Sequence, residues 1–327
     1  MSTVEKVTVY AAVLDEGGTI KQLLDSLLGQ TRPPDEILIV DGGSTDGTVE
    51  IVKRVSERHP SVRLLLAPGT NIAEARNIGF ENAAHDLIAS IDGGCIARPV
   101  WLANLVAALK EDVDVVAGVY VADSETTWDR VIEHFYYPDP TGIPQDWVNP
   151  WASSILVRRK VWEAVGPIPA NLYRSEDKWF NLEARQHGFH FAVARNAVVQ
   201  WKPRQTLWEV FWNAFVWTKS DLENGVNLSF ERERAVRISL RLTGKILAVA
   251  LWMGGFIVSP FAGLMTLPLL GAVLGKFAHS MKGPRHFVLF NVVDYTIMLA
   301  SASGLVAGEL ARLRKGRVPQ KGRIAAG

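Results

Sequence analysis

Two short segments of the sequence join an aspartate to glycines directly after an apolar run. Asp41 opens the segment 41–48, which reads Asp-Gly-Gly-Ser-Thr-Asp-Gly-Thr, and Asp92 stands before Gly93 and Gly94. A glycine lets the backbone turn sharply and approach a ligand closely, because it carries no Cβ. Asp41 could therefore accept hydrogen bonds from a base or a ribose. Asp92 could coordinate a divalent ion that bridges two phosphates.

Each of these segments also has a purely structural interpretation. Ser44, Thr45 and Asp46 suit a turn or the start of a helix as well as they suit a ligand. An Asp-Gly pair is common in β-turns, and Asp92 taken alone favours that interpretation. The sequence contains neither a GxGxxG nor a GK[ST] motif, so dinucleotide-binding and P-loop sites lose their usual support.

Further charged residues could take part in the same chemistry. Glu176 and Asp177 precede a predicted helix, where carboxylates often complement the positive helix terminus. One of them could instead act as a general base that deprotonates an acceptor hydroxyl. Later in the chain, Arg204 and Lys219 could neutralise a departing diphosphate, or they could merely flank a membrane.

Apolar runs of strand length alternate with segments of helical period. The predicted strands cover 6–14, 36–40, 62–66, 86–91 and 113–120. The predicted helices cover 19–28, 48–55, 71–84, 100–109, 178–187 and 207–217. This alternation predicts an α/β domain with a mostly parallel central sheet and helices on both faces. Ligands of such sheets bind beyond the carboxyl ends of the strands, where Asp41 and Asp92 stand. Segment 123–150 has no clear period and is predicted to be a long loop that serves a site.

Composition limits the class of protein. Of the 327 residues, 48% are hydrophobic and 21% are charged, which is typical of a globular chain. A net charge of +1 argues against a nucleic-acid partner, because phosphate backbones are bound by strongly basic faces. Cys95 is the one cysteine, so an intrachain disulfide and a metal site of several cysteines are excluded. We expect no secretory signal in the polar N-terminus.

The last third of the sequence is much more apolar than the rest. No charged residue occurs in 246–275, which exceeds the ~20 residues that a helix needs to cross a bilayer. A second apolar stretch, 287–310, carries Asp294 near its start. A carboxylate is costly against lipid, so we expect Asp294 to face protein, water or a head group. The two stretches predict a C-terminal transmembrane helical hairpin.

Basic residues lie mainly outside the two apolar stretches, and by the positive-inside bias both flanks face the cytosol. The aromatic helix 207–217 suits a belt at the membrane interface. The predicted domains are a catalytic domain over 1–227, a basic juxtamembrane segment over 228–245, a transmembrane region over 246–311 and a basic cytosolic tail over 312–327. Two alternatives stay open. Pro260 and Pro268 could break the first span into re-entrant halves, or the hairpin could be buried inside a soluble protein.

Over about its first 225 residues, the sequence resembles family 2 glycosyltransferases of the GT-A fold. Segment 7–16 (VTVYAAVLDE) resembles the family's opening strand and nucleotide-pocket segment, which ends here in Glu16. Segment 40–48 (VDGGSTDGT) is similar to the family's uridine-binding strand end and implicates Asp41. Segment 71–79 (NIAEARNIG) is similar to the family's Ala-Arg-Asn helix. That similarity places Arg76 and Asn77 near the nucleotide.

The acidic segments resemble two further motifs of the family. Segment 91–95 (IDGGC) stands where the metal-binding DXD motif belongs, with Asp92 as the first acid and Gly94 in place of the last. Ser-Glu-Asp at 175–177 resembles the acidic base motif, with Asp177 as the base and Glu176 beside it. The chain departs from the family pattern in the opening segment as well, where Ala12 replaces a common proline and Leu14-Asp15 an aromatic-Asn pair.

The resemblance implies an inverting, direct displacement. Asp41 would hold the base of a UDP- or GDP-sugar, and Asp92 would hold Mg²⁺ or Mn²⁺. Asp177 would deprotonate the acceptor, and Arg204 or Lys219 would steady the leaving diphosphate. The implied acceptor is a lipid-linked glycan or a polysaccharide at the cytosolic face of the cell membrane.

Two other classes remain open after this comparison of motifs. A nucleotidyltransferase would share the sheet and the metal, but its glycine-rich opening loop with a lysine is missing from 14–20. A catalytically silent, membrane-anchored partner with a GT-A-like fold is consistent with Gly94, because that glycine removes one expected metal ligand.

Overall fold

The computed structural model describes residues 5–137, 139–144, 152–172, 174–226 and 284–314, together with isolated residues between 233 and 259. Contacts divide the chain into two units, Met1–Pro203 and Arg204–Gly327. The boundary falls earlier than position 227, where the sequence predicts the end of the catalytic domain. The first unit contains the sheet and the second unit consists of helices in its described part.

An eight-stranded sheet forms the first unit. Its strands are β1 (Val7–Val13), β2 (Glu36–Asp41), β3 (Val62–Leu66), β4 (Leu87–Ser90), β5 (Cys95–Ala97), β6 (Val115–Ala122), β7 (Ile155–Arg158) and β8 (Phe191–Trp201). Their order in the sheet is β3-β2-β1-β4-β7-β6-β8-β5. The first four are mutually parallel, as are β6 and β8, whereas β7 runs antiparallel to both neighbours and β5 antiparallel to β8. The sheet is therefore mixed, with a parallel half that agrees with the prediction.

Nine α-helices have both of their ends among the described residues. They are α1 (Ile20–Leu28), α2 (Thr48–Ser56), α3 (Ile72–Asn82), α4 (Trp101–Ala108), α5 (Thr127–Tyr136), α6 (Arg159–Val165), α7 (Glu176–Gln186), α8 (Leu207–Glu223) and α9 (Pro284–Arg314). Every strand and helix predicted between 6 and 187 is confirmed within two residues at each end, and α8 begins at the predicted residue but continues beyond 217 to Glu223.

The prediction of a long loop over 123–150 is wrong for its first part, which forms α5. Thr126 starts this helix with a capping box, in which its Oγ1 accepts from the backbone N–H of Asp129 and its own N–H donates to Asp129 Oδ2. The Thr-x-x-Asp pattern is visible in the sequence. A short 3-10 turn, Pro140–Gly142, follows, and 145–150 lies outside the described residues.

Helices cover both faces of the sheet, as predicted. Alternate residues of β1 point to opposite faces, so Val9 and Ala11 join the core formed with α1. Tyr10 points the other way and packs on Phe80 of α3, with 5.3 Å between the ring centres. A Cβ added at Gly79 would lie 2.5 Å from the Tyr10 ring, so this glycine lets α3 lie directly on β1.

In the second unit, α8 and α9 pack closely along two glycines. A Cβ at Gly304 or at Gly308 would lie 2.6 Å from a carbonyl oxygen of α8. The part of α9 from Arg285 to Arg314 is the one described helix that is long and apolar enough to cross a membrane. Asp294 is buried within α9 and forms an ion pair with Arg241 at 3.2 Å, so it faces protein, in agreement with the prediction. Most of the predicted first span, 246–275, lies outside the described residues.

Candidate active site

Asp41 is the last residue of β2 and is 1% exposed. Its Oδ1 accepts hydrogen bonds of 2.9 Å from the backbone N–H groups of Gly43 and Ser44. Its Oδ2 is buried and has no hydrogen-bond partner among the described residues. A buried carboxylate oxygen is stable only with a donor beside it. Asp41 therefore offers an acceptor to a ligand with an N–H or O–H group at this edge of the sheet.

The segment after Asp41 ties two loops together. The backbone N–H of Asp15 donates to Ser44 Oγ at 2.8 Å, and that of Thr45 donates to Asp15 Oδ1 at 2.8 Å. Asp46 Oδ2 accepts from the backbone N–H of Gly17 at 2.7 Å. Asp15 adopts a φ of 53°, a left-handed conformation that aspartate tolerates better than most residues. The side chains at 44–46 thus hold the loop after β1 in place, which favours their structural interpretation.

Glu16 lies in that loop, and its carboxylate contacts the glycines after Asp92. The backbone N–H of Gly94 donates to Glu16 Oε2 at 3.3 Å, and Thr19 Oγ1 donates to the same carboxylate. A Cβ added at Gly93 would lie 2.6 Å from Glu16 Oε1. A side chain at position 93 would therefore collide with Glu16, and the glycine keeps the two strand ends close.

Arg76 joins the end of β4 to the start of α7. It is 6% exposed, and its Nη2 donates to Asp92 Oδ1 at 3.0 Å. Its Nε lies 3.3 Å from Glu176 Oε1, and its Nη1 donates to Ser90 Oγ at 3.3 Å. Burial by itself would lower the pKa of Arg76, but the carboxylates of Asp92 and Glu176 outweigh it and raise this pKa above its ordinary value. Arg76 is therefore a permanent cation among acidic groups.

Glu176 and Asp177, here called the acidic pair, form the first turn of α7. Burial and the neighbouring Asp177 together raise the pKa of Glu176 to about 7, against the opposing effect of Arg76. Asp177 is partly exposed as a residue, but its carboxyl group is buried, and this burial raises its pKa although Arg76 and Lys178 oppose the shift. The pair consequently holds protons more firmly than ordinary carboxyl groups, as general bases in active sites often do.

The raised pKa of Glu176 predicts a pH-dependent stability. In the unfolded chain its pKa is near 4.5, so the folded chain binds an additional proton up to about pH 7. Its contribution to the free energy of unfolding therefore falls as pH rises through this window, by at most about 1.4 kcal/mol per pH unit for one proton. We expect Glu176→Gln to match the wild type near pH 5 and to become the more stable protein near pH 8. Thermal unfolding of both full chains over this range measures the difference in Tm, and a constant or reversed difference would contradict the assignment.

The remaining predicted site residues have other contacts. Both ends of the Asn77 amide bond to the backbone of Ile168, at 2.8 Å each. Arg204 and Lys219 belong to the second unit, where Lys219 Nζ lies 3.2 Å from Glu223 Oε2. The nucleotide contact of Asn77 and the diphosphate contacts of Arg204 and Lys219 stay predictions.

Sequence reasoning missed two groups of side chains near the site. The residues that line a cavity at Asp177 include Tyr10, Phe80, Ser90 and Phe180, together with Arg76. Beside Gly94, Trp201 packs edge-on against Tyr120, with 6.1 Å between ring centres. A Cβ at Gly94 would lie 3.7 Å from the Trp201 indole nitrogen. The sequence signal that could have revealed Trp201 is an aromatic residue at the end of an apolar run, because β8 ends at Trp201.

Comparison with known proteins agrees with this geometry. Residues 8–179, which include Asp41, Arg76, Asp92 and the acidic pair, match the model of the family described as Glycosyl transferase family 2. Glycosyltransferase AglE of Haloferax volcanii is 28% identical over 267 residues, covering 79% of this chain and 84% of its own length. The uncharacterized glycosyltransferase YibD of Escherichia coli is 30% identical over 169 residues, covering 50% of this chain and 49% of its own length.

One solved structure is similar in fold to this chain. Mannosyltransferase PcManGT from Pyrobaculum calidifontis, in complex with GDP-Man and Mn²⁺, gives a TM-score of 0.57 at 18% sequence identity. The similarity covers 96% of this chain and 89% of that one, and it supports the GT-A fold. Because the family model spans more than half of the sequence, from β1 to the first turn of α7, this chain belongs to glycosyl transferase family 2.

Proposed function

We propose that this protein is an inverting glycosyltransferase that moves a sugar from a nucleotide-diphosphate donor to an acceptor hydroxyl or phosphate. The observation that carries the proposal is the contact of Arg76 with both Asp92 and Glu176. It brings the end of β4 and the start of α7 to one place, so that Asp177 stands beside a cluster suited to a diphosphate and its cation. Asp41 offers its buried acceptor at the end of β2, in the same parallel half of the sheet.

Each acidic residue then has a distinct role. Asp41 accepts a hydrogen bond from the base or ribose of the donor and so fixes the nucleotide. Asp177, whose pKa is raised by burial, takes the proton of the attacking acceptor group as the new bond to the sugar forms. Attack from the face opposite the leaving nucleoside diphosphate inverts the anomeric carbon. Arg76 keeps Asp92 and Glu176 in place and limits their mutual repulsion.

The residues present fit a divalent cation. Asp92 is a partly exposed hard oxygen ligand, and Glu16 adds a carboxylate that contacts the backbone of Gly94. Mg²⁺ commonly takes one or two carboxylates and completes its shell with phosphates and water. Within the described residues no three acidic, histidine or cysteine side chains form a metal group, so substrate phosphates and water would have to supply most ligands. Asp92 would hold Mg²⁺ or Mn²⁺, which when bound neutralises charge on the diphosphate.

A lipid-linked glycan or polysaccharide at the cytosolic face of the cell membrane is the acceptor that we propose. The support comes from the second unit, where α9 is long and apolar enough to span a bilayer and ends with Arg312 and Arg314. Trp208 and Trp212 of α8 are exposed, as residues of an interfacial belt would be. The transmembrane hairpin formed by 246–275 and 287–310 is part of this proposal.

Binding of nucleotide sugars to the purified full chain tests the proposal. Calorimetry with a panel of UDP- and GDP-sugars starts with GDP-mannose, which the structurally similar mannosyltransferase binds. We expect one donor to bind more tightly with Mn²⁺, and Asp92→Ala to weaken that binding by about tenfold or more. Asp86→Ala is the matched control, because Asp86 is an exposed aspartate just before the start of β4. No binding to any donor would instead favour the catalytically silent partner.

A further inference from the structure

The segment that leads to the acidic pair contains no helix or strand among its described residues. This connecting segment, 166–175, joins α6 to α7. Within it, Ile168 stands between Pro167 and Pro169, which have no backbone N–H. Ile168 therefore has the one backbone N–H of the three residues 167–169. It is 3% exposed. A buried peptide group needs hydrogen-bond partners, and those of Ile168 come from outside the segment.

Asn77 of α3 supplies both partners. Its Nδ2 donates to the carbonyl oxygen of Ile168 at 2.8 Å, and its Oδ1 accepts from the N–H of Ile168 at 2.8 Å. A primary amide carries a donor and an acceptor side by side, so one side chain can pair with both groups of a peptide. A carboxylate at position 77 could not donate, and an apolar side chain could make neither bond.

The hydrogen bonds of Asn77 to Ile168 are one link, here called a tie, between α3 and the connecting segment. Asn71 makes a second tie. It is the N-cap of α3, where its Oδ1 accepts from the N–H groups of Ala73 and Glu74. Its Nδ2 meanwhile donates to the carbonyl oxygen of Ala170 at 2.7 Å. Serine or aspartate would cap the helix equally well. Neither side chain has an N–H group, so only asparagine can cap α3 and also donate an N–H to Ala170.

These two ties lie near the start of the connecting segment, and the ion pair of Arg76 with Glu176 lies just past its end. The side chains of α3 and of its N-cap thus contact the chain at Ile168, Ala170 and Glu176, all of which precede Asp177. We propose that Asn71 and Asn77 are positioning residues, which hold the connecting segment on α3 so that Asp177 keeps its distance to the reacting atoms. This inference rests on the proposed function, because it assigns the base role to Asp177. Misplacement of a catalytic group by about 1 Å can cost on the order of 10²-fold in rate.

Hydrogen–deuterium exchange of the full chain tests the ties without any substrate. Asn71→Ser keeps the cap and loses only the bond to Ala170, whereas Asn77→Leu loses both bonds to Ile168. Asn82→Ala is the matched control, because the Asn82 amide donates to Ile78 within the same helix. We expect amides in 168–177 to exchange about tenfold faster in both test variants, with β1 and β2 unchanged. Unchanged exchange in 168–177 would overturn the proposal.

A second readout separates positioning from simple stabilisation. With the nucleotide sugar that binds in the panel, we expect Asn71→Ser to keep the dissociation constant of the donor within about twofold. Release of nucleoside diphosphate should slow by about tenfold or more, because Asp177 and not the donor pocket has moved. Wild-type turnover in both variants, despite faster exchange, would reduce the ties to a structural role and overturn the proposal. If the wild type binds no donor, the proposed function fails, and the exchange experiment still decides whether the ties exist.

Discussion

Asp177→Asn is expected to bind the nucleotide sugar as the wild type does and to lose nearly all transfer. Asparagine has almost the same shape but cannot take up the acceptor proton at neutral pH. Removing a general base costs roughly 10²- to 10⁴-fold in rate. The measurement is release of nucleoside diphosphate from the bound donor, with and without a total lipid extract as acceptor, beside calorimetry of donor binding.

The pH profile sharpens this test. Burial raises the pKa of Asp177, so the acid limb of kcat should lie at higher pH than an ordinary aspartate would give. Asp25→Asn serves as the control, since Asp25 is an exposed residue of α1 that pairs with Lys21. Full turnover of Asp177→Asn would remove Asp177 from the base role. Loss of donor binding would instead assign it to the nucleotide pocket.

Arg76→Met is expected to destabilise the protein strongly. The variant keeps the apolar stem and removes the cation that lies between Asp92 and Glu176. Breaking a buried ion pair on one side typically costs about 3–5 kcal/mol, since the remaining carboxylate is left buried without a partner. For a unit of this size that corresponds to a fall in Tm of roughly 10 °C. Thermal unfolding of the full chain, followed by tryptophan fluorescence, measures it.

The effect of Arg76→Met should depend on pH. Glu176 already binds a proton near pH 5, so no buried carboxylate is left without its partner there. The loss of stability should therefore be smaller near pH 5 than near pH 8. The double variant Arg76→Met with Glu176→Gln should recover part of the stability, because it removes a buried charge. Arg54→Met, at an exposed position of α2, is the control and should stay within about 0.5 kcal/mol. An equal loss at both pH values would contradict the ionic explanation.

Much of the parallel half of the sheet could be predicted because its signals are local. Buried strands such as β1 and β2 read as continuous apolar runs, and helices such as α1 show their period in a few turns. The glycines after Asp41 and Asp92 are also local signals, because glycine pairs commonly mark the turn at which a strand ends. The helix α5 was missed although its capping box lies in four consecutive residues. By contrast, the strands β5 and β7 have three and four residues, too few for a period to be recognised.

The candidate site likewise has features that local sequence signals predict and contacts that only the folded structure shows. The sequence by itself determined that aspartates stand at the ends of β2 and β4, because Asp41 and Asp92 directly follow apolar runs of strand length. It also determined the family, through motifs that keep their order along the chain. It did not reveal that Arg76 binds Asp92 and Glu176, or that Asn77 binds Ile168, which lies 91 positions further along the chain. Such contacts leave no local period, since they form only when separate segments dock on the sheet. Only the tertiary structure decided which polar side chains meet at the carboxyl ends of the strands.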